Sequence, residues 1–104
     1  MKMHLRKTTA GWKASTDVDF NPALNQQLRI ATYKSDRGLL TTASVHVCKD
    51  GMTSFAIFKD FMERVRLSNA RCTEKTVRDQ HHAAIMELGD ILARAHAHYA
   101  KGAK

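Results

Sequence analysis

Residues 28–58 read LRIATYKSDRGLLTTASVHVCKDGMTSFAIF, and this stretch decides the fold. Leu28 to Tyr33 is rich in strand-forming residues, and Ser35-Asp36-Arg37-Gly38 has turn composition. Leu39 to Cys48 is β-branched and alternating. Lys49-Asp50-Gly51 is a second turn, and Met52 to Phe58 a third strand.

Register follows from the apolar pattern, because a one-residue slip moves every side chain to the opposite face. A first loop at Ser35–Gly38 sets Leu28 opposite Val45 and Ile30 opposite Ala43. A second loop at Lys49-Asp50-Gly51, with Gly51 left-handed, sets Val45 opposite Phe55 and Ala43 opposite Ile57. A two-residue Asp50-Gly51 loop gives a poorer apolar match. One face is then Leu28, Ile30, Ala43, Val45, Val47, Phe55 and Ile57, a core face. The other carries Arg29, Ala31, Tyr33, Leu40, Thr42, Ser44, His46, Cys48, Ser54 and Ala56, mostly small or polar.

Beyond the strands, Asp60 to Leu67 places Phe61, Met62 and Val65 on one side of a short amphipathic helix, closed by Ser68-Asn69. Thr73 suits an N-cap, with Glu74 in the first turn where the helix dipole favours a carboxylate. A long helix from Glu74 to Tyr99 then carries the stripe Val77, Ile85, Leu88, Ile91, Leu92, Ala95 and Tyr99, with His81 and Ala84 filling it. Gly89 weakens its middle.

Upstream, Asn21-Pro22 signals a turn, or the cap and first residue of a short helical turn. In residues 1–20, Met3 and Leu5 alternate with Lys2, His4 and Arg6, and Thr8-Thr9-Ala10-Gly11 has turn character. Trp12 to Ser15 is a candidate second strand. The segment reads equally as edge strands or as a basic arm.

The expected class is therefore α+β: an antiparallel sheet of three or more strands followed by a short helix and a long C-terminal helix. With 104 residues, the chain fits a single small basic domain spanning 1–104. No run is apolar and long enough to span a membrane, and the charged start Met1 to Lys7 lacks the apolar core of a signal peptide. Cys48 and Cys72 are too few for a disulfide scaffold. A soluble cytoplasmic protein with reduced thiols is the expectation.

Few residues suggest chemistry. The six histidines include no His-x-x-x-His pair: His81 and His82 are adjacent, and His96 and His98 are two apart, so neither pair shares a helix face. His46 and Cys48 share a strand face, but no Cys-x-x-Cys accompanies them. No glycine-rich phosphate loop exists, and no cysteine or carboxylate has a recognisable catalytic setting. The expectation is a non-enzyme with no cofactor and no metal.

Charge carries the functional signal. Lys and Arg number 17 against 10 Asp and Glu, a formal net charge of +7, which favours a polyanionic partner: DNA, RNA or an acidic protein surface. Arg64, Arg66, Arg71, Lys75 and Arg78 cluster around the expected helix junction. Arg29, Lys34, Arg37 and Lys49 flank the open sheet face, which also carries Tyr33 and His46. These eleven residues are the candidate binding set. The favoured function is a non-catalytic nucleic-acid-binding or regulatory protein. The alternative is an accessory protein, of the kind phages and plasmids encode, that binds and inhibits or adapts a host complex.

Length adds an expectation about assembly. A helix from Glu74 to Tyr99 spans about 39 Å, against about 27 Å for a strand of about eight residues. Leu88, Ile91, Leu92 and Tyr99 would overhang the sheet, and an uncovered apolar stripe predicts a two-fold homodimer, unless the helix breaks near Gly89 and folds back or residues 1–20 cover its end.

Overall fold

A computed structural model describes the backbone of residues 2–49 and 52–102, with side chains at 2–47 and 61–100. Five antiparallel strands follow one another across a single sheet: β1 (His4–Thr8), β2 (Gly11–Asn21), β3 (Gln26–Ser35), β4 (Gly38–Lys49) and β5 (Met52–Ser68). A 3₁₀ turn, Pro22–Leu24, joins β2 to β3, with Pro22 at its first position and Asn25 left-handed at its end. Two helices follow, the shorter α1 (Glu74–Ile85) and the longer α2 (Leu88–Gly102). The expected α+β class is what the chain adopts, and residues 4–20 form an edge hairpin rather than an arm.

The β3–β4 register is as read from the sequence, with Leu28 opposite Val45 and Ile30 opposite Ala43. All four side chains are fully buried. They pack with Phe20, Phe61, Ala84, Ile91 and Ala95 into the main core, and Ala14, Leu39 and Val77 form a second cluster beside Met3, Leu5 and Trp12.

Three expectations need correction. Residues 60–67 are strand, not helix. At 17 residues β5 outruns the 12 of β4, and register shifts absorb the excess. Phe61 enters the core while Met62 is 58% exposed, the alternation of a strand. The β4–β5 register also differs: Lys49 pairs with Met52 and Cys48 with Thr53, so His46 meets Ile57 and Ala43 meets Glu63. The inward placement of Phe55 and Ile57 lies outside the described side chains. Thirdly, the C-terminal helix is interrupted at Met86–Glu87, where Met86 N–H donates to the carbonyl of His82 and Glu87 N–H to that of Ala84. Ile91 is therefore fully buried, and Leu88, Leu92 and Tyr99 pack against the same core. Of the four residues assigned to a dimer seam, Ile91 is buried in the chain's own core and Leu88, Leu92 and Tyr99 are half-buried against it, and two shorter helices replace the single long one whose length argued for a dimer.

A polar layer fastens α1 to the sheet. Thr73 caps the helix in a box with Thr76. One turn on, Gln80 and His81 point into the sheet, where Thr16, Thr32 and Thr41 are all 2% exposed or less. His81 Nε2 lies 2.7 Å from Thr16 Oγ1 and its Nδ1 lies 3.0 Å from Thr32 Oγ1. Thr32 Oγ1 is 2.8 Å from Thr41 Oγ1. Gln80 Nε2 donates to the Leu39 carbonyl at 2.9 Å and to Thr41 Oγ1 at 3.1 Å, and Ser68 Oγ donates to Gln80 Oε1 at 2.6 Å. Assigning the proton of His81 to Nε2 gives a directed chain from Gln80 through Thr41 and Thr32 to Nδ1, ending in donation from Nε2 to Thr16. At the other end of the helical layer Arg94 grips Glu63 of β5 with a two-nitrogen fork.

Gly38 opens β4 at φ +130°, and an added Cβ would lie 2.3 Å from the Ser68 carbonyl oxygen. Gly38→Ala should cost about 1–3 kcal/mol in urea unfolding.

Burial, with a smaller contribution from His82, holds the His81 imidazole down at about 4. The unfolded chain takes up this proton near pH 6.5, before the folded chain does. The contribution of His81 to stability is thus complete above about pH 6.5 and is lost as pH falls from there to about 4, a total of about 3 kcal/mol. Unfolding measured between pH 7 and 4 should show a smaller loss in His81→Gln than in the wild type. Equal losses would place the acid sensitivity elsewhere.

Candidate nucleic-acid interface

Both helices lie on one face of the sheet and leave the other, the open face, without a helix over it. Strand alternation brings to it His4 and Arg6 from β1, Lys13, Ser15 and Asp17 from β2, Gln27, Arg29, Ala31 and Tyr33 from β3, Leu40, Thr42, Ser44 and His46 from β4, and Met62, Arg64 and Leu67 from β5.

Within it, Asp17 and Arg29 are direct cross-strand partners. Arg29 donates from Nε to Asp17 Oδ1 at 2.8 Å and from its terminal nitrogen to Oδ2 at 3.1 Å. That fork neutralises Arg29 and fixes its plane. His46 is 5% exposed, and its Nε2 stands 4.0 Å from Asp17 Oδ1, with no hydrogen-bond partner among the described residues. Burial and then the Arg29 charge lower its proton affinity against the opposing pull of Asp17, so the ring is neutral at pH 7.

Arg6 and Lys13 are also direct cross-strand partners, and both are cations. Like charges so placed destabilise a sheet. Among the described residues no carboxylate lies within ion-pairing distance of Arg6, Lys13 or Arg64. Lys13 is partly desolvated and faces Arg6 and Arg29, which together lower its proton affinity; its ammonium sits 5.8 Å from the centre of the Tyr33 ring. A concavity of about 660 Å³ opens here, lined by Met3, His4, Leu5, Arg6, Lys13, Ser15, Asp17 and Arg29.

The structure divides the sequence-derived set. Arg29, Tyr33, His46 and Arg64 share the open face. Arg37 sits in the β3–β4 turn, and Lys34 is exposed beside it but pairs with Leu39 in the row whose other members turn toward the helices. The Lys49 side chain lies outside the described residues. The cluster at a helix junction dissolves because residues 60–67 are strand. Arg66 approaches Glu87 at 3.7 Å on the helix side, Lys75 pairs with Asp79 at 2.6 Å, and Arg78 with Glu74 at 2.8 Å. Arg71 lies in the connection to α1, beside Cys72. Sequence reasoning registered the basic N-terminus but placed neither Arg6 nor Lys13 in the site. A hairpin about Thr8–Gly11 would have aligned them.

No family model, curated protein or solved structure matches the chain. Among the described residues no helix is long and apolar enough to cross a membrane, and no three potential metal ligands converge.

If the Arg6–Lys13 opposition is a strain kept for a ligand, removing it should stabilise the free protein. Arg6→Gln is expected to raise unfolding stability by about 0.2–1 kcal/mol at low salt. The gain should shrink as salt screens the pair.

Proposed function

We propose that the protein is a non-catalytic nucleic-acid-binding protein whose open sheet face takes the sugar-phosphate backbone. The observation that carries this reading is the Arg6–Lys13 pair: two adjacent cations without carboxylate partners among the described residues, at the rim of a concavity. An incoming phosphate would turn their mutual repulsion into attraction to a shared anion, with release of counterions. Arg64, on the far side of the same face, extends the positive track. The helix side is a poorer candidate, since Lys75, Arg78 and Arg94 are each engaged by a carboxylate.

A second reading, an accessory protein that blocks an acidic surface of a host complex, is favoured by Met62 and Leu67, 58% and 40% exposed on the same face. Both readings use the same cations, and nucleic acid should compete with such a partner.

The test is fluorescence anisotropy with labelled mixed-sequence DNA and RNA across a salt series. Changing Arg6 and Lys13 together to Gln should weaken binding to every sequence and flatten the salt slope by about 0.7–0.9 per lost phosphate contact. Changing Lys75 and Arg78 to Gln should leave both unchanged. Absence of wild-type binding at low salt would eliminate the reading.

A further inference from the structure

We infer that the nucleic acid this face accepts is single-stranded, its phosphates held by Arg6 and Lys13 and its bases laid on Tyr33, Leu40 and Leu67; the inference rests on the nucleic-acid reading above.

A duplex turns its phosphates and groove edges outward and keeps its base faces stacked inside, so a surface built for it needs cations and polar groups. A single strand exposes base faces as well, and its binders combine a basic track with rings or apolar side chains on which bases lie.

Part of the open face has the second composition, in a definite order. One row of side chains crosses the sheet at right angles to the strands. It begins with the cross-strand pair Arg6 and Lys13. Tyr33 follows on β3, its ring 5.8 Å from the Lys13 ammonium. Tyr33 pairs with Leu40, and Leu40 with Leu67. Four strand spacings make the row about 19 Å long, room for a few nucleotides. Charge fills its first two positions and apolar surface the other three.

Two hollows sit on this row. One, of about 240 Å³, lies at Lys13 and Tyr33. The other, of about 210 Å³, lies at Leu40 and Leu67, with Arg64 and Arg37 at its wall. A phosphate drawn to Lys13 would take the ammonium from the Tyr33 ring and free that face for a base. The next bases would meet Leu40 and Leu67, with Arg64 placed for a later phosphate. For a duplex, Leu67 would be an exposed apolar side chain set against a charged backbone.

The experiment is an anisotropy titration of the full chain with three labelled probes of equal length and strand sequence: an intact single-stranded DNA, its duplex, and an abasic single strand with the same phosphates. The intact single strand should bind at least about 10-fold tighter than either of the others, given the worth of base–aromatic stacking. Tyr33→Leu should weaken intact-strand binding by about 5- to 150-fold, with little effect on the abasic strand, and Tyr33→Phe should retain it. Thermal melts of both variants would verify folding, and the wild-type comparison needs no variant. A duplex or abasic strand that binds as tightly as the intact strand would overturn the inference while leaving backbone binding intact. Failure of all three probes at low salt would overturn the nucleic-acid reading itself.

Discussion

The seating of α1 on the sheet depends on the buried polar contact between His81 and the threonines beneath it. Three threonines on the covered face of a sheet are costly when their hydroxyls go unpaired. Thr16, Thr32 and Thr41 come from three adjacent strands, so only an element lying across those strands can satisfy them together. Helix α1 does so with two consecutive residues, Gln80 and His81, and Gln80 reaches Ser68 on a fourth strand. The network therefore sets α1 against one face, and it resists register slips, because a one-residue slip would leave the imidazole facing the opposite set of side chains. Burial keeps the imidazole neutral, and a neutral ring can donate to one threonine while accepting from another.

Fixing the covered face also fixes the open one. On the helix side, Arg94 pairs with Glu63, Arg78 with Glu74 and Lys75 with Asp79. On the open side, Asp17 and Arg29 are matched, yet Arg6 and Lys13 oppose each other across β1–β2. That pair of like charges breaks the match between charge and fold. Such breaks are expected where a surface serves a ligand rather than the fold.

What the sequence disclosed follows the same physics. The β3–β4 pair was legible because its turn is short and its apolar residues alternate without interruption, so one register alone buries Leu28, Ile30, Ala43 and Val45 together. Residues 60–67 misled for the opposite reason. Between Arg64 and Arg66 the register with β4 shifts, leaving Val65 as the extra residue. A bulge of this kind breaks the period of two and leaves Phe61, Met62 and Val65 at helical spacing. The interruption at Met86–Glu87 has no proline to announce it, and Gly89 falls just beyond it. The site suffered from the first of these errors. With 60–67 read as helix, Arg64 and Arg66 joined Arg71, Lys75 and Arg78 in one patch, whereas the strand sends Arg64 to the open face and leaves Arg66 with Glu87.

The location of exposed apolar surface bears on where partners dock. Had the C-terminal helix run unbroken, its stripe would have been the largest uncovered apolar feature and the natural seam for association. With the interruption, Ile91 and Ala95 are fully buried in the core, and Leu88, Leu92 and Tyr99 are half-buried against it. Among the described residues, the large apolar side chains left exposed are Leu24, Met62, Leu67 and Met86. Leu24 and Met86 lie in turns outside the strands and helices. Met62 and Leu67 flank Arg64 on β5 and share the open face with Arg6, Lys13 and Tyr33. Apolar surface and uncompensated positive charge thus converge on one side of the molecule. That combination suits the proposed ligand, which presents both charge and flat apolar area.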